Sequence, residues 1–336
     1  VHAVAAQAVA GHAETGRATA AAPARGVASG VGRTALLVAA ARAVETHRPD
    51  ALARDPLAEL FVRAAPASAH WPLRPEQVPG GDADPLWGRL GRYFGLRTRV
   101  LDDHLLAAVR GGARQIVLLG AGLDSRAYRL DWPPGCVLHE IDTDEVLAFK
   151  RTVLDAAGAA PAAERRPLAA DLRADWAGPL LAGGFDPAAP TAWLAEGLLL
   201  YLPAEAERRL MATVHRLSAP GSTLAYELKD VAAEPPAVRT SPVYVAARQR
   251  LGIDLRALFD ADPRPDSAAR LARRGWTVTV RSPYDFTAVH GRGPLPEPND
   301  ALAANRWVFA ARPGPSGGGE APGAGPRRRP PVPGPR

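Results

Sequence analysis

The sequence predicts an α/β protein: a mostly parallel sheet covered on both faces, preceded by a helical cap. Three observations carry this. Residues 33–110 hold helical patterns only. From residue 115 the chain alternates short apolar runs with amphipathic stretches. The apolar runs are near-continuous, as strands buried on both faces require.

The cap reads in three pieces. TALLVAAARAVETH places its apolar residues on one helical face. RDPLAELFVRAA opens with Asp55-Pro56, an N-cap followed by proline in the first turn. YFGLRTRVLDDHLLAAVRGG keeps the helical period and stops at Gly111-Gly112. Seven strands are expected after it. QIVLLGAG is a buried strand ending in glycines. CVLHEID (136–142) is the second, with TDEVLAFKRTVLDAAG as the helix behind it, and ERRPLAADL (164–172) is the third, containing Pro167. TAWLAEGLLLYL holds the fourth, PAEAERRLMATVHRLSAPG forms an amphipathic helix, and GSTLAYEL is the fifth. WTVTV (276–280) and RWVFAAR (306–312) complete the set. Crossovers between parallel strands should be right-handed. Residues 231–262 break the rhythm and read as an insertion.

Residues 1–32 are rich in alanine, glycine and small polar side chains, and 313–336 in proline, glycine and arginine. Neither can bury a core, so both are expected to be disordered extensions of one domain at 33–312.

A formal net charge of +6 suggests nucleic acid, but its distribution argues otherwise. The tail from Pro313 has a surplus of three positive charges and residues 1–30 a surplus of one. Only two of the six remain for everything between. Lys150 and Lys229 are the only lysines, and no basic stripe is interleaved with aromatics. No nucleic-acid partner is expected. Cys136 is the single cysteine, which excludes an internal disulfide and a thiolate metal cage. The start of the chain lacks the charged-then-apolar pattern of a signal peptide, and no run approaches a membrane span. A cytoplasmic location without membrane or metal partners is the expectation.

The chemistry centres on LLGAGLDSRAYRL (118–130). In open parallel sheets, ligands bind beyond the carboxyl ends of the strands. Gly120 and Gly122 lie there and allow close backbone approach. Asp142 ends the second strand, twenty positions after Gly122, where a carboxylate can accept from ribose hydroxyls. A dinucleotide site wants a third glycine so that a helix start can meet the pyrophosphate. Here that position is Ser125, with Asp124 before it, and an acid repels phosphate. A sulfonium nucleoside, S-adenosylmethionine, has no phosphate and tolerates Asp124. Asp171-Leu172 ends the third strand, with Asp171 placed to accept from an adenine amino group and Leu172 to cover the ring. Glu196 interrupts the apolar fourth strand, and a carboxylate there must be paired. The α-ammonium of the methionine moiety is the favoured partner; an arginine of the chain itself is the competing expectation.

Taken in order, YFGLRTRVLDD, LLGAGLDSRAYRL, HEIDTDEV, AADL and AEGLLLYL resemble the leucine carboxyl methyltransferase family. The resemblance is nearest to its bacterial branch, which includes polyketide O-methyltransferases, and covers roughly residues 33–312. It implies the class I S-adenosylmethionine-dependent methyltransferase fold: Rossmann-like, with a seven-stranded sheet whose last strand is antiparallel. It also implies roles. Arg97 (or Arg99, one helical register away) matches the arginine that clamps the methionine carboxylate, and Gly120 the close-approach glycine. Asp142 matches the ribose acid, Asp171-Leu172 the adenine contacts, and Glu196 the glutamate near the methionine amino group. Many class I enzymes carry an acid before the first glycine; here that residue is Leu119.

The expected activity is O-methyl transfer to a carboxylate, or a hydroxyl, of a small molecule such as a polyketide. A protein C-terminal carboxylate and a nicotinamide-dependent oxidoreductase are the alternatives. A carboxylate nucleophile needs no general base, whereas a phenol profits from one. Candidate bases are His104, His139, His215 and His290, the last in the loop AVHGRGP and nearest an open site; His139 lies inside a strand and is expected in the core, and His215 lies on the outer pattern of a helix. Tyr201, at the end of strand four, either faces the acceptor or packs. Tyr244 and Phe259, in the insertion, are candidates for an aromatic acceptor pocket.

Overall fold

Strand β1 (Gln115–Leu119) is buried along its whole length and forms the middle of the sheet. The computed structural model of the protein describes residues 31–229 and 234–314. The expectations of disorder for the two chain ends fall almost wholly outside them. Three helices precede β1: α1 (Val31–Thr46), α2 (Ala58–Ala64) and α3 (Trp87–Arg110). Asp55 accepts from Leu57 N–H at 3.2 Å, but α2 starts two residues later than the predicted cap, because Arg42 binds the same carboxylate at 2.9 Å.

After β1 come α4 (Arg126–Arg129), β2 (Val137–Asp142), α5 (Asp144–Ala156), β3 (Glu164–Ala169), α6 (Ala177–Ala182) and β4 (Thr191–Ala195). They are followed by α7 (Ala204–Arg216), β5 (Thr223–Lys229), α8 (Pro242–Leu251), α9 (Ser267–Arg273), β6 (Thr277–Arg281), α10 (Pro283–His290) and β7 (Asn305–Ala311). The sheet order is β3-β2-β1-β4-β5-β7-β6. All pairings are parallel except those of β7, which runs antiparallel to both β5 and β6. This is the class I methyltransferase arrangement. Pro167 is tolerated because β3 is an edge strand, where a missing N–H breaks no interior ladder.

The two-residue period of β1 sends its side chains to different layers. Ile116 and Leu118 pack with Leu101, Leu105 and Val109 of α3. Val117 and Leu119 pack with Leu180 of α6 and with Leu210, Met211 and Val214 of α7. A third apolar cluster joins α1, α2 and the first half of α3 to α8, so the insertion belongs to the cap. Behind β2, Lys150 of α5 and Glu140 form a fully buried pair at 2.8 Å, to which Arg165 adds a second contact at 2.8 Å. No helix among the described residues is long and apolar enough to cross a membrane.

Because β1 and β4 are neighbours whose connections leave in opposite directions, a crevice opens between their carboxyl ends. The cap closes over it. At 24 residues, α3 spans about 36 Å and passes from cap to sheet face midway along its length, beside that crevice.

Candidate active site

A cavity of about 380 Å³ occupies the crevice, within the range of ligand pockets, about 300–1,000 Å³. It is lined by every residue expected to hold the cofactor: Arg97, Gly120, Gly122, Asp142, Asp171, Leu172 and Glu196. Gly120 and Gly122 have φ of 66° and 47°, in the left-handed region. A Cβ on Gly120 would stand 2.9 Å from Leu198 Cδ1. Asp142 accepts from the Gly122 and Thr143 N–H groups, both at 2.7 Å. Each of its oxygens therefore already serves the backbone. Burial raises its pKa against the lowering effect of those two N–H groups.

The third strand ends at Ala169, so Asp171 and Leu172 stand beyond it. Leu172 is buried. Asp171 is exposed at the rim and pairs with Arg173 at 2.7 Å, and the Arg173 side chain holds its pKa down. Sequence reasoning did not foresee this competitor for the adenine amino group.

The methionine end corrects the sequence reading more sharply. Strand β4 stops at Ala195, so Glu196 does not interrupt it but follows it. Its carboxylate is paired within the chain, 2.9 Å from Arg97 Nη2 and 2.7 Å from Arg126 Nη1. Burial alone would raise Glu196, but Arg126, Arg97 and Arg42 outweigh it and hold the group at about 2. The competing expectation, an arginine of the chain, is met twice over, by Arg97 and Arg126. Arg126 comes from the glycine motif itself. It also binds Asp102 at 2.7 Å and Asp124, while Arg129 grips Asp102 at 2.6 and 2.8 Å. Arg97 is buried, and its other contact is Glu227 of β5 at 2.7 Å. Arg99 points to solvent and pairs with Asp103 at 2.7 Å, so of the two arginines only Arg97 reaches the cavity.

Glu227 was not singled out from sequence. The signal was present: GSTLAYELK carries Glu227 and Lys229 at alternate positions of an otherwise apolar strand, the same anomaly that exposed Glu196. Tyr93 donates to Glu227 and accepts from Asn305 Nδ2 at 2.7 Å. Lys229 binds the Ala301 carbonyl and Asn305 Oδ1, and lies 3.0 Å from Glu234; burial lowers its pKa.

Beyond these groups the cavity turns aromatic. Tyr201 and Phe259 have ring centroids 5.8 Å apart, Phe259 and Tyr244 6.5 Å, and Lys229 lies against the last two rings. Tyr244 and Phe259 thus line the expected pocket. Tyr201 lines it too, but from a single 3₁₀ turn (Leu199–Tyr201) rather than a strand end; its hydroxyl is 3.4 Å from Thr34 Oγ1 and burial raises its pKa. The histidine candidates do not reach the cavity. His104 faces the sheet, 5.2 Å from the Phe309 ring, and burial lowers it to about 4. His290 is the last residue of α10 rather than part of a loop. His139 is buried in β2, and His215 Nδ1 is 3.0 Å from Trp276 Nε1, as structural residues.

The donor set fits one cofactor chemistry. Every arginine and lysine on the cavity wall is already engaged by a carboxylate: Arg42 by Asp55, Arg97 by two glutamates, Arg126 and Arg129 by Asp102, Arg173 by Asp171, Lys229 by Glu234. A diphosphate would meet Asp124 and Glu196 with no unpaired cation to receive it. A sulfonium and an ammonium suit such walls.

Fold and site together define a class I methyltransferase. The leucine carboxyl methyltransferase profile matches residues 35–215, and the chain belongs to that family. A Streptomyces coelicolor protein named "Putative S-adenosyl-L-methionine-dependent methyltransferase" is 67% identical over 288 residues, covering 85% of this chain and 95% of its own length. A Saccharopolyspora erythraea protein of the same name is 47% identical over 287 residues, covering 85% and 97%. Among solved structures, a "putative methyltransferase" from Thermobifida fusca is 16% identical with a TM-score of 0.46, covering 80% of this chain and 96% of its own. Family membership removes the oxidoreductase alternative.

Proposed function

We propose that the protein transfers the methyl group of S-adenosylmethionine to an oxygen, hydroxyl or carboxylate, of a small apolar acceptor such as a polyketide. The observation that carries this reading is the continuity of the cavity. Its polar end, at the glycine turn, opens directly into the aromatic chamber of Tyr201, Tyr244 and Phe259 under the cap.

Asp142 takes the ribose, Leu172 covers the adenine with Asp171 at its edge, and the Gly120 turn lets the backbone lie against the cofactor. Arg97 stands at the methionine carboxylate, and Glu196 receives the ammonium. The bound cofactor supplies an electrophilic methyl group on a sulfonium. The chain's own contribution is alignment and exclusion of water: cap residues Leu37 and Val38 wall the cavity opposite the strand ends. The lone, buried Cys136 supports action in a reducing cytoplasm.

The test is methyl transfer from radiolabelled cofactor into a panel of aromatic and aliphatic acids, phenols and carboxyl-terminal peptides. Alkali then separates esters, which hydrolyse, from ethers, which survive. Label in a small acceptor is expected. Label in the peptides alone would assign a protein carboxylate instead. Cofactor binding by calorimetry without transfer to any oxygen would defeat the reading.

A further inference from the structure

We propose that Glu227 is the proton acceptor of the reaction, and that the oxygen methylated therefore enters as a hydroxyl. This rests on the O-methyl transfer proposed above.

The argument begins with position. Ala195 of β4 pairs with Tyr226 of β5, which sets residues 196 and 227 side by side just past the end of β4, two residues before β5 ends. Glu196 faces the methionine end. Glu227 lies one strand further on, toward the aromatic chamber, with Lys229 following on the same face of β5. Among the described residues no histidine lines the cavity. The other carboxylates on its wall are placed elsewhere: Asp55 under Arg42, Asp124 and Glu196 under Arg126, Asp142 at the glycine turn, Asp171 at the rim.

Glu227 is also furnished for the task. Its neighbours are all donors: Tyr93 O–H, Arg97 Nη1 at 2.7 Å, and Trp307 Nε1 at 3.4 Å. A carboxylate has about four lone-pair sites, so these three partners leave one for an incoming O–H. The group is 4% exposed, so bulk water does not compete for that site. Asn305 donates to the Tyr93 oxygen at 2.7 Å, which fixes the Tyr93 proton on Glu227 and keeps the group an acceptor. An acceptor that is itself a carboxylate would bring a second negative charge against Glu227 and would have no proton to give.

In the step, an acceptor oxygen lone pair forms the O–C bond to the methyl carbon. The C–S bond breaks and its electron pair stays on sulfur. The O–H proton passes to a Glu227 oxygen and leaves to solvent after the products depart.

Two measurements on the wild type and on Glu227→Gln test this. The first uses phenols of graded acidity, from 4-methylphenol to 4-nitrophenol, at about pH 8, with benzoate alongside. The variant is expected to lose about 10²–10⁴-fold on 4-methylphenol and only a few-fold on 4-nitrophenol, which is already ionised. Because the comparison is a ratio within one preparation, it does not depend on how much of the variant is folded. Glu227→Asp, which keeps a carboxylate, should recover part of the 4-methylphenol rate.

The second needs no turnover: the absorbance of 4-nitrophenol bound in the presence of adenosylhomocysteine. The wild type should hold the neutral phenol beside Glu227, and Glu227→Gln the phenolate. An equal loss on all acceptors, no loss, or identical bound spectra would overturn the proposal, as would benzoate being the better wild-type acceptor. A wild type that binds cofactor and methylates none of these oxygens would instead refute the O-methyl reading itself.

Discussion

Arg97 and Glu227 stand 130 positions apart in the chain and meet at 2.7 Å, with Glu196 on the other side of the same guanidinium at 2.9 Å. Burial would lower the Arg97 pKa, but the two glutamates outweigh it and push it up. A planar fork can hold two carboxylates at once, one on each Nη; an ammonium cannot repeat that geometry. Arg97→Lys is therefore expected to weaken S-adenosylmethionine binding by about 2–4 kcal/mol on calorimetry, with a lowered melting temperature. Affinity within a few-fold of wild type would move the methionine carboxylate to another group.

Asp142 is expected to matter twice. Asp142→Ala removes the acceptor of the Gly122 and Thr143 N–H groups as well as the proposed ribose contact. Cofactor affinity should fall about 10–100-fold, and the fold should lose about 1–3 kcal/mol in urea titration. A stability loss without an affinity loss would leave Asp142 as a loop anchor only.

Gly120→Ala meets two obstacles: a φ of 66° and a Cβ contact of 2.9 Å with Leu198. A cost of about 1–2 kcal/mol is expected from the backbone alone. Adding Leu198→Ala should recover the part due to the contact and not the part due to φ. Full recovery in the double variant would show that backbone conformation is not the constraint.

Glu45 gives a pH test. It is buried on α1 and accepts from Leu52 N–H at 2.8 Å, near Arg48 and Arg292. Burial outweighs these partners and raises its pKa from 4.5 to about 7. The folded state then binds more protons than the unfolded one between those values, so this contribution is intact below about 4.5 and declines as pH rises through 7. The difference amounts to about 3 kcal/mol. Glu45→Gln should lack this decline, so its stability relative to wild type should improve between about pH 5 and 8 in paired denaturation curves. A pH-independent difference would place the titration elsewhere.

Much of the fold was legible because it is written in local pattern. The continuous apolar run of β1, the glycines that end it and the carboxylate that ends β2 needed no partner to be recognised. Glu196 was visible for the same reason, as a charge at the end of an apolar run. Its partners were not, since Arg97 and Arg126 reach it from two different helices, α3 and α4, and nothing local tells one arginine from the 37 others. Tyr93 was invisible for that reason too, and so were the partners of Glu227, though the charge itself stood out in its apolar strand. His104 and His290 failed as bases because helical phase turns one toward the sheet and ends a helix with the other. Asp171 lost its freedom to a neighbour two residues away, the one local pairing that sequence could have shown.

The chain's two lysines both lie inside it, Lys150 against Glu140 and Lys229 against Glu234. No ε-amine is left for the outer surface of the folded protein. Amine-directed biotin, dyes or cross-linkers should find neither lysine side chain accessible while the protein stays folded. Were the contact between Lys229 and Glu234 to part, Lys229 would become open to acylation, and the rate of that acylation would time the opening.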